Sequence, residues 1–559
     1  MKKIIFSLLL TITLFAKGNG QPSEFGKVSL EELKMKDYKL DSLATAVILF
    51  DNGESSLDNQ LTVTSKRHTR IKFFSKAAID DWANRTLYLT HNEDGISKLK
   101  AVTYNLEDGK IIESKMEETS VFKTRVDRQT DQIKFTLPNV KDGSVIEYSY
   151  TLRTSASFLP SWQFQESIPV IWSEYQTYIP KAFTFRKDLQ GFLGFSEHSN
   201  KNDGAAERWV VKNAPAFKEE PFITTPEDYV SKINFYLSEA FVPGRPLMNF
   251  DRSWYSITKS FVNDQDFGIQ IKTSGFLKKT VAEITDGMTE DERKMKAVYD
   301  YVRTNVAWNN FIDKIPDHTF KKVLEDKKGS SSEINLLLVS MLQKCGLKSY
   351  PVLLSTRKHG LIRPFVPMFS QFNDVICLVK MGDKNILLDG TDKYLPMKAL
   401  PERCLNGEGL VVSENHIEWV PLVSSRSRLV INADYKVDEA GELLGKLNIS
   451  RDGLDGSSMR KSFTDMGQEK YVKDFLASKT WELSNTKFDN IDNPDQSAKE
   501  AYDIVIRDHT QVAGPVIYLN PYLIGRMEEN KFKSEERLWN IGLVFTPNYW
   551  DRLLKLPRW

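Results

Sequence analysis

The chain has 559 residues, and its 76 Lys and Arg residues nearly balance its 75 Asp and Glu residues. This length exceeds one hydrophobic core and predicts about three or four domains. The balanced charge provides neither a basic field nor an acidic tail, so we expect no nucleic-acid partner.

Cysteine and histidine usage argues against a disulfide-stapled protein and against a metal-binding protein. Cys345, Cys377 and Cys404 are too few and too late in the chain for a disulfide framework. The seven histidines are scattered, and none stands at a ligand spacing from a Cys, an Asp or another His. The sequence also has no Walker loop, no dinucleotide-type glycine fingerprint and no serine-hydrolase elbow. We therefore expect no cofactor and no metal site.

The amino terminus has the pattern of a bacterial export signal. Residues 1–3 form a cationic head, and the apolar stretch 4–16 follows. A transmembrane helix needs ~20 apolar residues, so this stretch indicates a signal peptide, residues 1–20, rather than an anchor. Gly18 and Gly20 stand where a signal peptidase reads small residues. We expect cleavage near Gly20/Gln21, a soluble mature protein and a periplasmic or secreted location; the alternative is an amino-terminal core helix.

Residues 37–218 alternate between β-prone stretches and turns, which predicts an antiparallel β domain. Asp108-Gly109 and Asp142-Gly143 each indicate a tight hairpin, because Gly accepts positive φ. The first turn would join Leu99–Leu106 to Lys110–Ile112, and the second would join Ile133–Leu137 to Ser144–Tyr150.

Aromatic residues recur along the predicted strands of this region. Such alternation is typical of a core, and a platform for a sugar or peptide is the alternative. The set consists of Trp162, Phe164, Trp172, Tyr175 and Tyr178.

The pattern becomes helical after Asp251. Thr289 to Glu292 has the form of a capping box that opens an amphipathic helix through Val302. A second box, Ser330 to Glu333, predicts a helix from Ser330 to Gln343 that Gly346 stops.

Period-two stretches return after this helix. Tyr350–Ser355, Val375–Lys380 and Ile386–Leu388 predict a sheet under the helices, and a turn at Glu439-Ala440-Gly441 predicts a later hairpin. The fold class is therefore α+β and multidomain. We place an antiparallel β domain at residues 21–225, a central α+β domain at 226–425 and a β-rich domain at 426–559, whose ending does not resemble a finished sheet.

The central region resembles the core of the bacterial transglutaminase-like superfamily, which has a cysteine-protease-like fold. The residues that carry the resemblance are Gly329–Leu338, Cys345–Leu347, Tyr350–Val352, Phe372–Val375 and Leu387–Asp392. The region before them, including Gly143–Tyr150 and Ile168–Tyr175, is similar to the β domain of unknown function that precedes this core in secreted bacterial proteins.

The resemblance implies a triad of thiol, histidine and aspartate, and this chain departs from it twice. Ser331 stands in the cysteine position and Asp374 in the histidine position, whereas Asp389 matches the aspartate. A hydroxyl needs a positioned base, and a carboxylate of ordinary pKa is a poor base near neutral pH. The matching positions are therefore predicted to be inactive.

Each position also has a structural interpretation. Ser331 could be a helix N-cap, Asp374 a solvated carboxylate at a strand end, and Asp389 either a turn residue or part of a retained polar network. Cys345 is expected in the core at the end of its helix, where a thiol pKa is raised. His359 is the one candidate for a substitute base.

Three functions follow from these alternatives. The leading hypothesis is an exported pseudoenzyme that binds a peptide, a glycan or a cell-envelope protein. The second is an active peptidase or acyl-transferase that uses Ser331. The third is a structural scaffold that spaces two β modules. An open cleft at Ser331 would favour binding, and a filled cleft would favour scaffolding. The sequence leaves the oligomeric state open.

Overall fold

The computed structural model describes residues 22–126, 130–155, 159–202, 204–241, 246–250, 252–425, 427–520, 522–524 and 529–532. The predicted signal peptide, its cleavage point and the last residues of the chain lie outside these ranges. The chain divides into two compact units, Met1–Glu219 with Tyr229–Asp251 and Glu220–Asp228 with Arg252–Trp559. Among the described residues, no helix has both the length and the apolar character that crossing a membrane requires.

The first unit is built mainly from β-strands, as predicted. Its largest sheet has eight strands, and neighbouring strands are antiparallel except for Ala46–Leu57 beside Val170–Tyr178, which are parallel. In spatial order the strands are Glu197–Lys201, Ala206–Ala214, Val170–Tyr178, Ala46–Leu57, Thr62–Phe73, Val145–Ser155, Gly95–Glu107 and Lys110–Lys115.

Two smaller sheets and short helices complete this unit. One sheet contains Phe183–Gln190, Lys232–Ala240, Met248–Asn249 and Trp162–Gln163, and the other contains Asn84–Thr90, Thr130–Thr136 and Val121–Arg125. Because Lys232–Ala240 pairs with Phe183–Gln190, the unit continues past the predicted boundary at residue 225. The helices are Leu30–Lys34 and Ile79–Trp82, with 3-10 turns at Lys76–Ala78 and Glu118–Ser120.

The two predicted hairpins of this unit have different outcomes. Asp108 and Gly109 both have positive φ and join paired strands, so the first hairpin is confirmed. The second hairpin is wrong, although Gly143 does lie in a turn. Thr130–Thr136 pairs with Asn84–Thr90, whereas Val145–Ser155 pairs with Thr62–Phe73 in another sheet. A local turn signal cannot reveal which distant strand offers the better partner.

Four residues of the predicted aromatic set are buried in the core of the first unit, as expected. The ring of Tyr175 stacks on Trp162 at a centroid distance of 5.0 Å, and its hydroxyl donates to Ser55 Oγ at 2.8 Å. Tyr178 is the exception, because its side chain is exposed.

The second unit packs helices against a five-stranded antiparallel sheet. In spatial order the strands are Lys384–Leu388, Asp374–Met381, Lys348–Leu354, Glu408–Val411 and Trp419–Pro421. The helices are Trp254–Asn263, Gln270–Thr273, Leu277–Ile284, Asp291–Asn305, Phe320–Asp326 and Ser331–Lys344. Single turns occupy Pro226–Asp228, Gln265–Ile269, Arg357–His359, Phe369–Gln371 and Glu402–Cys404, and Ala307–Trp308 pairs in parallel with Lys328–Gly329.

Ser331–Lys344, which we call the central helix, is buried on every side from Ser331 to Leu342. A helix that is buried on every side lies in the middle of a domain. This helix packs on the strands Lys348–Leu354 and Asp374–Met381. The predicted helix from Ser330 to Gln343 is thereby confirmed to within one residue at each end.

The other predicted capping box is wrong. The helix Asp291–Asn305 begins one residue later than expected, and its N-cap, Glu290, makes no side-chain cap hydrogen bond. Asp291 and Glu292 lie in the first turn, where negative charge stabilises the helix through its dipole.

The β-rich region of the second unit is a four-stranded antiparallel sheet with two helices. The predicted hairpin is confirmed, since Leu429–Val437 pairs with Leu443–Arg451 around Gly441. The remaining elements are the strands Ala498–Ile506 and Trp481–Asp489, the helices Gly453–Met466 and Gln468–Leu476, and a separate hairpin of Thr510–Ala513 and Val516–Leu519.

Candidate functional site

The amino end of the central helix places Ser331 at the middle of the second unit. Ser330 is the N-cap, and it exchanges hydrogen bonds with Glu333 in the predicted capping box. Ser331 is therefore the first helical residue, and the interpretation of Ser331 as the N-cap is wrong. Its side chain is 0% exposed.

The backbone N–H groups of this first turn are all bound by the protein. Ser331 N–H donates to the carbonyl of Phe311 at 3.1 Å, and Ser332 N–H donates to Oδ1 of Asp313 at 3.2 Å. Ser330 N–H donates to Glu333 Oε2 at 2.7 Å, and Glu333 N–H donates to Ser330 Oγ at 3.4 Å. The donors that a helix amino terminus normally offers to an anion are thus occupied.

Residues 309–314, which we call the covering loop, supply two of these acceptors and also bind the Ser331 hydroxyl. Ser331 Oγ lies 3.3 Å from the carbonyl oxygen of Asp313 and accepts a hydrogen bond from Asp313 N–H at 3.2 Å. The hydroxyl of Ser332 donates to the Asp313 carboxylate. At the end of the loop, Lys314 Nζ donates to the carbonyls of Phe369 and Phe372.

Asp374 and Asp389 come together because their strands are neighbours. Asp374 is the first residue of Asp374–Met381, and Asp389 directly follows Lys384–Leu388, which pairs with it from Cys377 opposite Leu388. The side chains of both aspartates are 0% exposed. The interpretation of Asp374 as a solvated carboxylate is therefore wrong.

Arg403 bridges these two carboxylates. Its Nε donates to Asp374 Oδ2 at 3.2 Å, and its Nη2 donates to Asp389 Oδ2 at 2.6 Å. The guanidinium carbon lies 4.9 Å from the ring centroid of Trp308, in a cation–π contact. In a triad enzyme, the histidine lies between the nucleophile and the aspartate. Here Arg403 binds both the carboxylate at the predicted histidine position and the carboxylate of Asp389.

Burial raises the pKa of Asp374 to about 6, against the opposing effect of Arg403. The neighbouring charge of Asp389 raises this pKa further, and hydrogen bonds from the Ser331 hydroxyl and Val375 N–H lower it. The expectation of an ordinary aspartate pKa is thus wrong. Ser331 lies close enough to lower the pKa of Asp374, and Arg403 joins Asp374 to Asp389, so the structure brings together all three predicted positions.

Asp389 belongs to a polar network and to a local turn at once. Its Oδ1 accepts hydrogen bonds from the N–H, at 2.8 Å, and the hydroxyl of Thr391, and its Oδ2 accepts from Asn335 Nδ2 at 3.4 Å. Asn335 also binds the Gly390 N–H and the Val375 carbonyl, so the central helix fixes both strand ends.

The candidate substitute base lies elsewhere. The structure describes all seven histidines, and none is a hydrogen-bond partner of Ser331 Oγ. His359 is in a 3-10 turn, where its Nδ1 lies 2.8 Å from Ser355 Oγ. Cys345 follows the central helix, and its pKa is raised, with burial as the main cause in place of the predicted helix dipole.

Arg403 and Asp313 are the site residues that the sequence analysis missed. Arg403 lies in a short 3-10 turn, and Asp313 lies in a loop, so neither is part of a periodic pattern or a capping signal. Both reach the site through contacts with residues 14 to 29 positions away in sequence. Only the three-dimensional arrangement of the strands identifies them.

Comparisons with known families agree with this architecture. Residues 59–218 match the domain of unknown function DUF3857, and residues 278–365 match the transglutaminase-like superfamily. The chain thus carries a transglutaminase-like domain preceded by DUF3857. Ser331 lies inside the matched range, whereas Asp374 and Asp389 lie beyond it, so their assignment to triad positions stays a prediction.

A solved structure with a similar fold has low sequence identity to this chain. A candidate protease from Parabacteroides distasonis ATCC 8503 has a TM-score of 0.51 at 11% identity, covering 83% of this chain and 94% of its own. A candidate cysteine protease from Cytophaga hutchinsonii has a TM-score of 0.17 at 10% identity, covering 59% of this chain and 79% of its own. No curated protein matches the sequence.

Proposed function

We propose that this chain, with its transglutaminase-like domain behind a DUF3857 domain, is an exported and catalytically silent protein that acts as a scaffold for its β domains. One observation carries the proposal. The amino end of the central helix is filled by the Phe311 carbonyl and the Asp313 carboxylate. In an enzyme of this fold class, these helix donors would stabilise the thiolate and the oxyanion.

The Ser331 hydroxyl is a second obstacle to catalysis, in addition to the occupied helix donors. A helix dipole contributes ~0.3–2 kcal/mol, which lowers a hydroxyl pKa by at most about 1.5 units and leaves it far above neutral. A thiol with a pKa near 8.5 would come within working range under the same field. Attack by Ser331 therefore needs an effective base and free oxyanion donors, and the N–H groups of the first helical turn are already occupied.

A second candidate function, a serine peptidase or acyl-transferase, has one observation in its favour. Asp374 contacts the Ser331 hydroxyl, and burial raises its pKa to about 6, which makes it a stronger base than an exposed aspartate. Against this function, Arg403 binds the same carboxylate and stabilises its charged form, which lowers its pKa and makes it a weaker base.

The scaffold function is favoured over ligand binding because the cleft at Ser331 is filled. Ser331, Asp374 and Asp389 are all fully buried, so a peptide or glycan has no access to them in this arrangement. A peptide, a glycan or another cell-envelope protein remains the class of partner that we propose for the surrounding surfaces.

Activity assays on three proteins test the silent site. Wild type, Ser331→Ala and Ser340→Ala would be incubated with a glutamine-donor and peptide library, and amide hydrolysis and amine transfer measured. Ser340 is a buried serine on the same helix, away from the triad positions, so it controls for loss of folded protein. We expect equal, background rates. Turnover lost in Ser331→Ala and kept in Ser340→Ala would establish the serine enzyme instead.

Export has a separate test. Amino-terminal sequencing of the protein recovered from bacterial periplasm should find a start close to Gln21. Recovery of the chain in a membrane fraction with Met1 retained would contradict the proposed location.

A further inference from the structure

We propose that the covering loop is a latch: residues 309–314 lift away from the central helix without unfolding of the domain, and the Asp313 side chain holds the latch closed. This inference concerns access to Ser331 and does not depend on whether the site is catalytically silent.

The contacts that hold the loop are polar and few. Asn309 donates its N–H to the Gly329 carbonyl at 2.9 Å, and Phe311 contributes its carbonyl. Asp313 contributes its backbone and carboxylate, and Lys314 contributes its ammonium group. The side chains of Phe311 and Ile312 are instead 46% and 40% exposed. The closed loop therefore buries little apolar surface at its centre, and water can replace the hydrogen bonds lost on opening.

The network behind the loop has its own supports. Arg403 binds both Asp374 and Asp389, and Asn335 and Thr391 bind Asp389. Trp308, which stacks on Arg403, precedes the covering loop, and its Nε1–H donates to the Phe311 carbonyl at 2.9 Å, so opening must also break this hydrogen bond. Lifting residues 309–314 thus exposes Ser331 and the first helical N–H groups while these ion pairs remain in place.

The surroundings of Asp313 favour control by this residue. Its carboxylate faces the Ser330 and Ser332 hydroxyls and the Ser332 N–H, and the negative charge of Glu333 lies on the same helix turn. His318 binds Glu333 from the segment that follows the loop. Burial raises the pKa of Asp313 to about 7. The closed loop consequently prefers a protonated Asp313, and opening becomes easier as pH rises from about 4 to 7.

Lys314 opposes this trend at higher pH. It is buried against the carbonyls of Phe369 and Phe372, and burial lowers its pKa to about 8. A neutral lysine stabilises the closed loop, so opening becomes harder again as pH rises through the range from about 8 to 10.5. Opening should therefore be greatest near pH 7 to 8.

Thiol labelling of the full chain tests the latch. The reporter is Ser331→Cys in a background with both Cys345→Ser and Cys404→Ser, and native Cys377, fully buried in the sheet, reports global unfolding. A neutral alkylating reagent is applied at one fixed pH, and both thiols are quantified by mass spectrometry. We expect the thiol at position 331 to react at least about tenfold faster than Cys377 through local opening.

Substitutions at Asp313 sharpen the test. Asp313→Ala removes the acceptor of the Ser332 N–H and hydroxyl and should raise labelling at position 331 by about tenfold, without changing Cys377. Asp313→Asn mimics the protonated side chain and should leave labelling low. Asp326→Ala, an exposed residue paired with Lys322, is the surface control. Equal, slow labelling of both thiols in every variant, or fast labelling that Asp313→Ala does not change, would overturn the latch.

Hydrogen exchange of the wild-type chain provides a second measurement that needs no cysteine. The Ser331 and Ser332 amides, corrected for intrinsic rates, should exchange faster than the Leu337 amide, and faster at pH 7 than at pH 5. Uniform protection of the three amides at both pH values would contradict the proposal even if Ser331→Cys does not fold.

Discussion

Nη2 of Arg403 lies 2.6 Å from Oδ2 of Asp389, and the same guanidinium also binds Asp374 through Nε. Its side chain is only 16% exposed, and its single positive charge faces two buried carboxyl groups. Removing one member of a buried ion pair leaves uncompensated charge, which is more costly than the pair itself is stabilising.

Arg403→Met should therefore lower the free energy of unfolding of the second unit by ~3–5 kcal/mol at neutral pH. The measurement is denaturant unfolding followed by tryptophan fluorescence, because Trp308 stacks on this guanidinium. Arg507→Met is the control, since Arg507 makes only exposed ion pairs, which contribute little to stability. Equal effects of the two substitutions would mean that Arg403 does not carry the network.

The pH dependence of stability should identify Asp374. Its folded pKa, about 6, exceeds its ordinary value of 3.8, so the folded state binds the proton more tightly than the unfolded state. Stability conferred by this residue is therefore present at low pH and is lost as pH rises through the range from about 4 to 6.

Asp374→Asn should remove this pH dependence of stability. The stability of wild type relative to Asp374→Asn should fall between pH 4 and 6 and level off above pH 7, measured by unfolding at each pH. Asp383→Asn, in an exposed turn, should show no such trend. A relative stability that rises with pH would show that Arg403 outweighs burial in setting the Asp374 pKa.

The first unit contains a second buried arginine whose removal we expect to release a segment of the chain. Arg70 donates to the Lys27 carbonyl at 3.1 Å, to Glu32 at 2.8 Å and to buried Glu147 at 2.6 Å. Arg70→Ala should destabilise the unit by ~3–5 kcal/mol and admit trypsin at Lys27. Lys66→Ala, 61% exposed and paired with Glu54, should leave digestion unchanged. Protection of Lys27 in both variants would contradict this prediction.

Local signals in the sequence predicted the elements that depend on local chemistry. The Asp108-Gly109 hairpin requires two residues with positive φ, and the central helix begins at a capping box within four residues. The same reasoning failed at Asp142-Gly143, because strand partners are chosen by packing across the sheet.

The candidate site shows the same division. The family resemblance located Ser331, Asp374 and Asp389, which the structure brings together at one helix end and two strand ends. It could not reveal Arg403 or Asp313, because each belongs to an irregular segment whose position depends on the whole fold. These two residues also give the site its distinctive electrostatics, so the pKa of Asp374 could not be predicted from sequence.

The last prediction concerns restoring the missing triad residues. In Ser331→Cys with Asp374→His, the new imidazole would be buried beside Arg403, and both burial and this positive charge lower an imidazole pKa below its usual ~6.5. Such an imidazole does not hold the proton of the thiol, so no stable ion pair of thiolate and imidazolium forms. Either single substitution and the pair together should remain near background in the amide assay, because nucleophile and base act as a unit.

Adding Arg403→Gln to the double variant should raise the pKa of the new imidazole without restoring amide turnover. With the positive charge gone and Asp389 still present, the pKa of the imidazole should rise by about 1–3 units, measured by NMR titration with His318 as an internal reference. Amide turnover should still be low, because Phe311 and Asp313 continue to occupy the helix N–H groups that an oxyanion needs. An unchanged imidazole pKa would show that Arg403 does not control the base position, and rapid turnover in the double variant would show that the covering loop does not block the chemistry.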